Sequence, residues 1–227
     1  MTKKNNTLAP GTKERLLEAA IDVFGRHGFD SASTRMIAKA GNVNIAAIPY
    51  YFGGKGGLYR AVIHHIVDHI KNQAGDLLEQ IDGMTFSQDT GPQQARELIQ
   101  AVLERFVNFI AGSEQGPRFS RIILREQMFP SPAYDAIFEG FLKPVLDALS
   151  TLIMAASGES DPRQATFKAM TLMGQVIIFR VARETIVRGL DLDGYSPQEL
   201  EEIRRVVVEN ALAITATPTE WTIRKKL

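Results

Sequence analysis

The sequence predicts an all-α protein, and three observations support this. Apolar residues recur at spacings of three and four positions along most of the 227 residues, which is the period of a helix that buries one face. Stretches with the strict alternation of a β-strand are nearly absent. Glycine and proline cluster between the periodic stretches and mark where helices end. We therefore expect about nine helices and no sheet.

End signals place the helices of the N-terminal part. The first is expected at about residues 12–27, because Gly28 supplies a C-terminal stop. The second ends at Gly41, which can adopt the positive φ that a sharp turn needs. A third begins after Asn44, a plausible cap, and a fourth covers about 55–80. Three short helices followed by a long one are therefore expected.

A polar loop containing glycine and proline is expected over 82–92, and further helices follow it. These helices are expected at about residues 93–111, 117–128, 132–157, 163–189 and 196–214. Pro144 lies inside the third of them and should kink it or divide it in two.

The composition excludes several classes of protein. The chain has no cysteine, which rules out disulfides, thiolate nucleophiles and cysteine-ligated metal centres. Residues 1–12 lack the apolar core of a signal peptide, and no run of 18 apolar residues occurs. We therefore expect a cytoplasmic protein with no membrane partner.

The balance of 26 basic and 26 acidic residues hides an asymmetry along the chain. Nine basic and four acidic residues precede position 61, a net charge of +5, whereas the other 17 basic and 22 acidic residues give −5. A basic module on an acidic body is typical of a protein that binds a polyanion through one end.

Residues 34–55 match a helix-turn-helix, although any two packed helices would give the same spacing. Small and apolar residues after Asn44 fit a major groove, and the tyrosines and lysine that follow are ordinary phosphate donors. The expected DNA-contacting residues are Thr34, Arg35, Asn44, Ile45, Ala46, Ala47, Pro49, Tyr50, Tyr51 and Lys55. Pro49 should keep the recognition helix short or bend it. The GGKGG string follows no strand and lacks the spacing of a P-loop, so we do not interpret it as a nucleotide loop.

The C-terminal part combines many Phe and Met residues with a few polar side chains set into apolar helices. Most of these residues fit a hydrophobic core, but pockets share the same combination. The expected ligand-binding residues are Phe106, Phe109, Arg125, Glu126, Met173, Ile177 and Arg180. Arg180 can instead pair with Glu184 one turn away.

Catalytic and metal-binding motifs are missing from the sequence. No nucleophile elbow, dinucleotide fingerprint or pair of catalytic carboxylates occurs in a recognisable frame. His65 and His69 share a helical face, but no carboxylate accompanies them at the spacing of a zinc motif, so we interpret them as surface histidines. We expect no enzyme activity, no metal and no cofactor.

An ordered set of residues in the first sixty positions resembles the DNA-binding domain of the TetR family of bacterial transcriptional regulators. The set is Phe24, Gly28, Thr34, Ile37-Ala38, Ala40-Gly41, Tyr50-Tyr51-Phe52, Lys55 and Leu58-Tyr59. Further segments resemble the CecR-type subgroup, whose members are drug-responsive repressors. These segments are Asn44 to Ile48, Arg125-Glu126-Gln127, Pro132-Ala133-Tyr134, Phe179-Arg180 and Glu184-Thr185-Ile186.

The resemblance implies a repressor that binds a palindromic double-stranded operator as a homodimer and is released by a small, largely apolar effector. The implied domains are a helix-turn-helix head over 1–60, an effector-binding and dimerisation domain over 61–217, and a basic tail over 218–227. Two alternatives stay open from the sequence. One is a helical small-molecule-binding protein, and the other is a protein adaptor with a vestigial DNA-binding head.

Overall fold

The computed structural model describes residues 11–84, 91–113 and 115–216, and these residues form helices and connecting segments without a strand. The all-α prediction is therefore confirmed. The basic tail over 218–227 lies outside the described residues, as do the first ten residues and most of the loop expected over 82–92.

Eleven α-helices are found in the described residues. They are α1 (Thr12–Ser31), α2 (Thr34–Ala40), α3 (Ala47–Phe52), α4 (Lys55–Asp82), α5 (Gly91–Val107), α6 (Gly116–Met128), α7 (Tyr134–Ile137), α8 (Lys143–Ser157), α9 (Pro162–Val181), α10 (Arg183–Gly189) and α11 (Pro197–Thr215). Two single π-helical turns, Asn108–Gly112 and Phe138–Leu142, follow α5 and α7.

Most helix ends lie where the sequence predicts them. The first helix breaks at Gly28, where φ is 75°, before one more turn to Ser31. The region around Pro144 is divided as expected, because this residue lies in the first turn of α8, where its missing N–H has no helical partner to lose. The turn after α2 differs from the expectation: Gly41 has φ −80°, and Asn42 adopts the positive φ of 49° instead.

The single helix expected over 163–189 is wrong, because α9 and α10 are bent by 68° relative to each other at Ala182. In a continuous helix the Phe179 carbonyl would accept from the N–H of residue 183. In the structure it accepts from the Tyr195 hydroxyl at 2.9 Å, and the Arg183 guanidinium lies 5.5 Å from the centre of the Tyr195 ring. Tyr195 therefore supplies partners on both sides of the break.

The chain divides into two compact units that do not follow chain order. The first unit, which we call the head unit, contains residues up to His69 together with Arg118 to Gly140. The second, the body unit, contains the described residues from Ile70 to Pro117 and from Phe141 onwards. Both α4 and α6 therefore contribute residues to each unit.

The head unit has α1 as its central helix, with α2 and α3 in contact with it. Leu16, Ile37 and Ile48, one from each of these helices, are completely buried. Helix α3 approaches the start of α4 so closely that a Cβ on Gly57 would lie 1.7 Å from the Phe52 carbonyl oxygen. Only glycine fits at position 57, so this residue fixes how the end of α3 meets α4.

Helix α6 belongs to the head unit through two sets of polar contacts. Near its start, the Arg118 guanidinium bonds Glu18 and Asp22 of α1, each at 2.8 Å. Near its end, Glu126 is 2% exposed and accepts the Tyr59 hydroxyl of α4 at 2.5 Å. The other Glu126 oxygen accepts from the backbone N–H and the hydroxyl of Ser131, both at 3.0 Å. Both carboxylate oxygens are thus satisfied inside the head unit.

The body unit is a bundle in which α5 packs against α8, α9 and α11. Its centre is formed by fully buried aliphatic residues such as Leu103, Leu149 and Leu172. Arg96 of α5 also donates to the carbonyls of Ala156 and Thr215, at 2.9 and 3.3 Å. These bonds satisfy carbonyls at the C-terminal ends of α8 and α11, which have no N–H donor within their own helix.

We expect Gly57→Ala to destabilise the protein by about 1–3 kcal/mol, because the added methyl group must displace the Phe52 carbonyl. Gly56→Ala is the matched control, since the atom nearest to a Cβ there is Arg60 Nη1 at 3.8 Å. That control should be neutral or stabilise the protein by up to about 1 kcal/mol through helix propensity. Urea unfolding measures the difference in stability between the two variants. Equal unfolding midpoints would contradict the close approach of the Phe52 carbonyl to Gly57.

We expect Tyr59→Phe to destabilise the protein by about 1–3 kcal/mol, because the variant leaves a buried Glu126 oxygen without its donor. Tyr134→Phe is the control, since that hydroxyl bonds Gln127 at an exposed position, and its cost should stay below about 0.5 kcal/mol. Urea unfolding at neutral pH compares the two variants.

The hydrogen bond between Tyr59 and Glu126 also makes the stability of the protein depend on pH. Burial raises the pKa of the Tyr59 phenol above its ordinary value of 10.0, and the bond to Glu126 raises it further. The folded protein therefore holds this proton more tightly than the unfolded chain, and the stability so gained is lost as the pH rises above about 10. Wild type should lose more stability than Tyr59→Phe between pH 9 and 11, and parallel losses would contradict the account.

Candidate functional site

The helix-turn-helix segment is held by its own side chains. The Ser33 hydroxyl caps α2 by accepting from the Met36 N–H at 3.2 Å. The Asn44 side chain accepts from the Ala46 N–H at 2.9 Å and so organises the turn before α3, as the sequence predicts for a capping residue. Two local caps therefore define where each of the two helices begins.

Helix α3 and the turn before it have a buried and an exposed side. Ile48 is completely buried, whereas Ile45, Ala46 and Pro49 are exposed. Ala47 is 0% exposed, so its side chain cannot reach a base, and we remove it from the expected base-facing residues. We call the exposed residues Asn44, Ile45, Ala46, Pro49 and Tyr50 the α3 strip.

Pro49 shortens the helix by moving its start. Without an N–H, Pro49 cannot donate to the Ile45 carbonyl. That carbonyl accepts from the Ile48 N–H at 3.2 Å in a tighter turn, and regular helix begins only at Ala47. The proline consequently lies in the first turn, where it costs no helical hydrogen bond. The expected short recognition helix is found, with six residues.

The tyrosine pair lies at the end of α3. Tyr50 is 75% exposed, and its ring meets that of the half-buried Tyr51 edge to face at 5.0 Å between centroids. An exposed phenol held by a neighbouring ring can donate to a phosphate oxygen without losing much conformational entropy. Of the two phenols, the geometry favours Tyr50 as the donor.

Lys55 has partners inside the head unit. Its ammonium donates to the Asp30 carbonyl at 3.1 Å and lies 4.6 Å from the centre of the Phe29 ring. That ring is 5.0 Å from Tyr59, so the lysine covers the aromatic cluster that Glu126 bonds from α6. An ammonium has three donors, so a phosphate contact stays compatible with this placement.

The remaining expected contacts lie on α2. Arg35 is exposed and Thr34 is half-buried. Lys39, which we did not predict, is exposed in the last turn of the same helix. The described part of the head thus carries two exposed cations on α2, and exposed cations are what a phosphate-binding surface requires.

The body unit contains an apolar cavity of about 40 Å³, which we call the inner cavity. Ile70, Ala74 and Leu77 line it from α4, and Phe106, Phe109 and Phe141 form an aromatic wall. Phe109 and Phe141 each belong to one of the two π-helical turns. Such turns occur frequently at functional sites, because they redirect side chains from the regular helical face.

The polar residues at the inner cavity are Gln73 and Arg105. The Arg105 guanidinium is paired with Asp76 at 2.7 and 3.3 Å, and this bond lowers the pKa of the Asp76 carboxyl. The arginine charge at this cavity is therefore balanced by a carboxylate.

The expected ligand-binding residues do not all come together. Phe106 and Phe109 line the inner cavity, but Arg125 and Glu126 belong to the head unit. There the Arg125 side chain lies against Gly28, within 3.1 Å of where a Cβ would be. Glu126 uses both oxygens on Tyr59 and Ser131, as described above.

The other three expected residues lie in α9 and do not line the inner cavity. Met173 is buried, Ile177 is half-buried, and Arg180 donates to the Pro117 carbonyl at 3.3 Å. Glu184, the alternative partner of Arg180, pairs instead with Arg188 at 2.7 Å.

We did not predict from the sequence which residues of α4 line the inner cavity. Their spacing of three and four, from Ile70 through Ala74 to Leu77, was the available signal, but core residues give the same pattern. Arg105 was missed because a charged residue near a helix end usually faces solvent.

Two further features bear on the site. In the described residues, no group of three or more His, Asp or Glu side chains could hold a metal ion. Across the same residues, no individual helix has the length and apolar character to cross a membrane, and only the bent pair α9 and α10 passes this test when taken together.

Comparisons with known proteins agree with the architecture. A family described as "Bacterial regulatory proteins, tetR family" matches residues 16–62, and "HTH-type transcriptional dual regulator CecR, C-terminal domain" matches residues 95–217. The transcriptional dual regulator CecR of Shigella flexneri is 30% identical over 196 residues, which cover 86% of this chain and 87% of that protein. The transcriptional regulator RutR of Escherichia coli K12 is 26% identical over 92% of this chain and 94% of its own length.

Solved structures show the same fold. The regulator AibR, in complex with isovaleryl coenzyme A and operator DNA, has a TM-score of 0.64 at 17% identity and covers 88% of this chain and 98% of its own. FadR from Bacillus subtilis, in complex with stearoyl-CoA, has a TM-score of 0.57 at 16% identity and covers 88% of this chain and 97% of its own. The family and the relatives are transcriptional regulators and not enzymes, in agreement with the expectation of no enzyme activity. The chain therefore belongs to the TetR family of bacterial transcriptional regulators and carries a C-terminal domain of the CecR type.

Proposed function

We propose that the protein is a cytoplasmic repressor that binds a palindromic operator as a homodimer and releases it when a small, largely apolar molecule binds the body. The observation that carries this proposal is the α3 strip, an exposed row of small and aromatic residues on a buried base of Ala47 and Ile48. Such a surface can enter a major groove without steric obstruction.

DNA contacts in this proposal fall into two classes. Asn44, Ile45, Ala46 and Pro49 face the bases, and Tyr50 donates to a phosphate. Lys55 and Arg35 add positive charge around the strip. The segment over 1–60 is thus the DNA-binding domain, and the segment over 61–217 binds the effector and the second subunit.

The dimer is supported by one face of α9. Phe167, Met170, Ile178 and Val181 are all exposed, and their spacing places them on one stripe with Gly174. The buried residues of α9, such as Ala165, Leu172 and Val176, lie on the opposite side. A helix that is apolar on both sides is typical of a helix that is buried on both sides.

Exposed apolar residues on α11, Val206 and Leu212, extend the apolar surface of the body unit. Val207 and Ala211 of the same helix, together with Val176 of α9, are buried inside the chain and belong to its core. Pairing α9 and α11 of two subunits across a dyad would form a four-helix interface, and its two-fold symmetry would match a palindrome.

Effector binding is supported by the inner cavity, whose walls are apolar with few polar groups. Ligand pockets for drug-sized molecules measure roughly 300–1,000 Å³, so a cavity of about 40 Å³ must widen to receive one. A ligand that binds the widened state better shifts the protein toward it, and α4 carries this change toward the head. A hundredfold loss of operator affinity requires about 2.7 kcal/mol of coupling.

We expect Lys55→Met to weaken binding to any duplex and to reduce the slope of log affinity against log salt by about 0.9 per head, because one phosphate contact is lost. Methionine keeps an aliphatic stem over Phe29, which limits damage to the aromatic cluster. Lys71→Met is the control, since Lys71 is exposed on the part of α4 that belongs to the body unit. Fluorescence anisotropy with a random-sequence duplex measures both, and an unchanged slope would remove Lys55 from the interface.

We expect Met170→Glu with Ile178→Glu to convert the dimer into a monomer, because four carboxylates would then be buried at the interface. Gln94→Glu on α5 adds a charge at an exposed position away from the α9 stripe and should leave the dimer intact. Sedimentation equilibrium at micromolar concentration distinguishes these outcomes. A wild-type monomer in the presence of duplex DNA would refute the dimer.

A further inference from the structure

A second cavity shares a lining residue of α4 with the inner cavity. This cavity measures about 370 Å³ and lies between the end of α4 and the start of α8. Among the described residues, Leu78 is the one that lines both cavities. We call the second cavity the acidic groove, because Glu79, Asp82 and Asp147 are the ionisable residues that line it.

The acidic groove also has an apolar floor. Leu78, Ile81, Met84 and Ala148 line it beside the three carboxylates. The lining residues of the two cavities on α4 run from Ile70 to Asp82, about 18 Å at the helical rise per residue. A ligand that occupies both cavities must therefore be long, with an apolar tail and a polar end.

Some ionisable residues at the two cavities form ion pairs and others do not. Arg105 at the inner cavity is neutralised by Asp76, and in the groove Asp147 pairs with Lys143 one turn earlier in α8. Among the described residues, no ion pair is made by Glu79 or Asp82. The groove consequently carries uncompensated negative charge beside an apolar surface.

We infer that the effector is a cationic amphiphile, whose positive end lies in the acidic groove and whose apolar tail passes Leu78 into the inner cavity. This inference rests on the proposed function, because it names the class of molecule that the repressor senses. A positive end is attracted by Glu79 and Asp82, whereas sulfates and phosphates are repelled by them. The coenzyme A thioesters seen in two proteins of the same fold carry the unfavourable charge.

The test uses ligands that share one tail and differ in the charge of the other end. Decyltrimethylammonium, decanol, decyl sulfate and decanoyl coenzyme A are titrated into the full-length protein by calorimetry, each below its micelle concentration. We expect decyltrimethylammonium to bind tightest, and a tighter complex with decyl sulfate or decanoyl coenzyme A would overturn the inference.

Two sets of variants locate the charge. Glu79→Gln with Asp82→Asn should weaken decyltrimethylammonium about five- to tenfold at low salt and leave decanol unchanged, because only the charge is removed. Glu97→Gln is the control, since Glu97 is an exposed carboxylate of α5 that lines neither cavity. Equal affinities in the double variant, the control and wild type would also overturn the inference.

A third variant tests whether the two cavities act as one site. Leu78→Trp should weaken decyltrimethylammonium several-fold and change butyltrimethylammonium little, because only the longer tail has to pass residue 78. Equal weakening of both would contradict a tail in the inner cavity. Circular dichroism verifies folding, and the isosteric amide variants provide the test if the tryptophan variant unfolds.

The same titrations, combined with operator binding, distinguish failure of the cationic ligand class from failure of the release mechanism. If decyltrimethylammonium binds with the expected variant pattern but leaves operator affinity unchanged, the ligand class stands and the release mechanism fails. If an anionic ligand binds tightest and releases the operator, the release mechanism stands and the cationic class is refuted.

Discussion

Tyr59 donates to a carboxylate that is almost entirely buried, and a carboxylate in such a place is stable only while its oxygens keep their donors. Three elements meet at this bond: α4, which carries Tyr59; α6, which carries Glu126; and the aromatic cluster of Phe24 and Phe29 from α1. Lys55 covers the same cluster from the start of α4. The bond from Tyr59 to Glu126 thereby joins two residues of the head unit that lie 67 positions apart in the chain. The head unit is therefore assembled from two separate stretches of the chain, and most of α6 belongs to it.

Regulation follows from where the helices lie in the chain. Helix α4 places Tyr59 in the head unit and Leu77 and Leu78 at the two cavities of the body unit. The π-helical turns aim Phe109 and Phe141 at the inner cavity, which is too small for a drug-sized molecule as it stands. In the mechanism that we propose, an effector widens this cavity, and the energy comes from its preference for the widened state. The same mechanism requires, by reciprocity, that operator DNA weakens ligand binding by the factor by which the ligand weakens operator binding.

Local signals were sufficient to predict most of the fold and part of the site. Gly28, Asn44 and Pro144 act on their immediate neighbours, so their effects could be inferred from the sequence. The break at Ala182 could not be inferred, because Tyr195 reaches it from another loop. The sequence places Ala47 among small residues that fit a DNA groove, but its side chain is completely buried. Glu126 is a polar residue in an apolar helix, as in many pockets, but its carboxylate accepts a hydrogen bond from Tyr59. At Ala182, Ala47 and Glu126, a contact between distant segments determines the observed structure.

The central claim is that the α3 strips of two subunits read a symmetric DNA sequence, and selection from a randomised duplex pool tests it most directly. Duplexes retained by the wild-type protein are amplified and sequenced over several rounds. We expect one enriched sequence with two inverted half-sites, and we expect its enrichment to disappear when Ile45 and Ala46 of the strip are both replaced by Glu. Retention without any enriched sequence, or enrichment that survives this replacement, would contradict the claim.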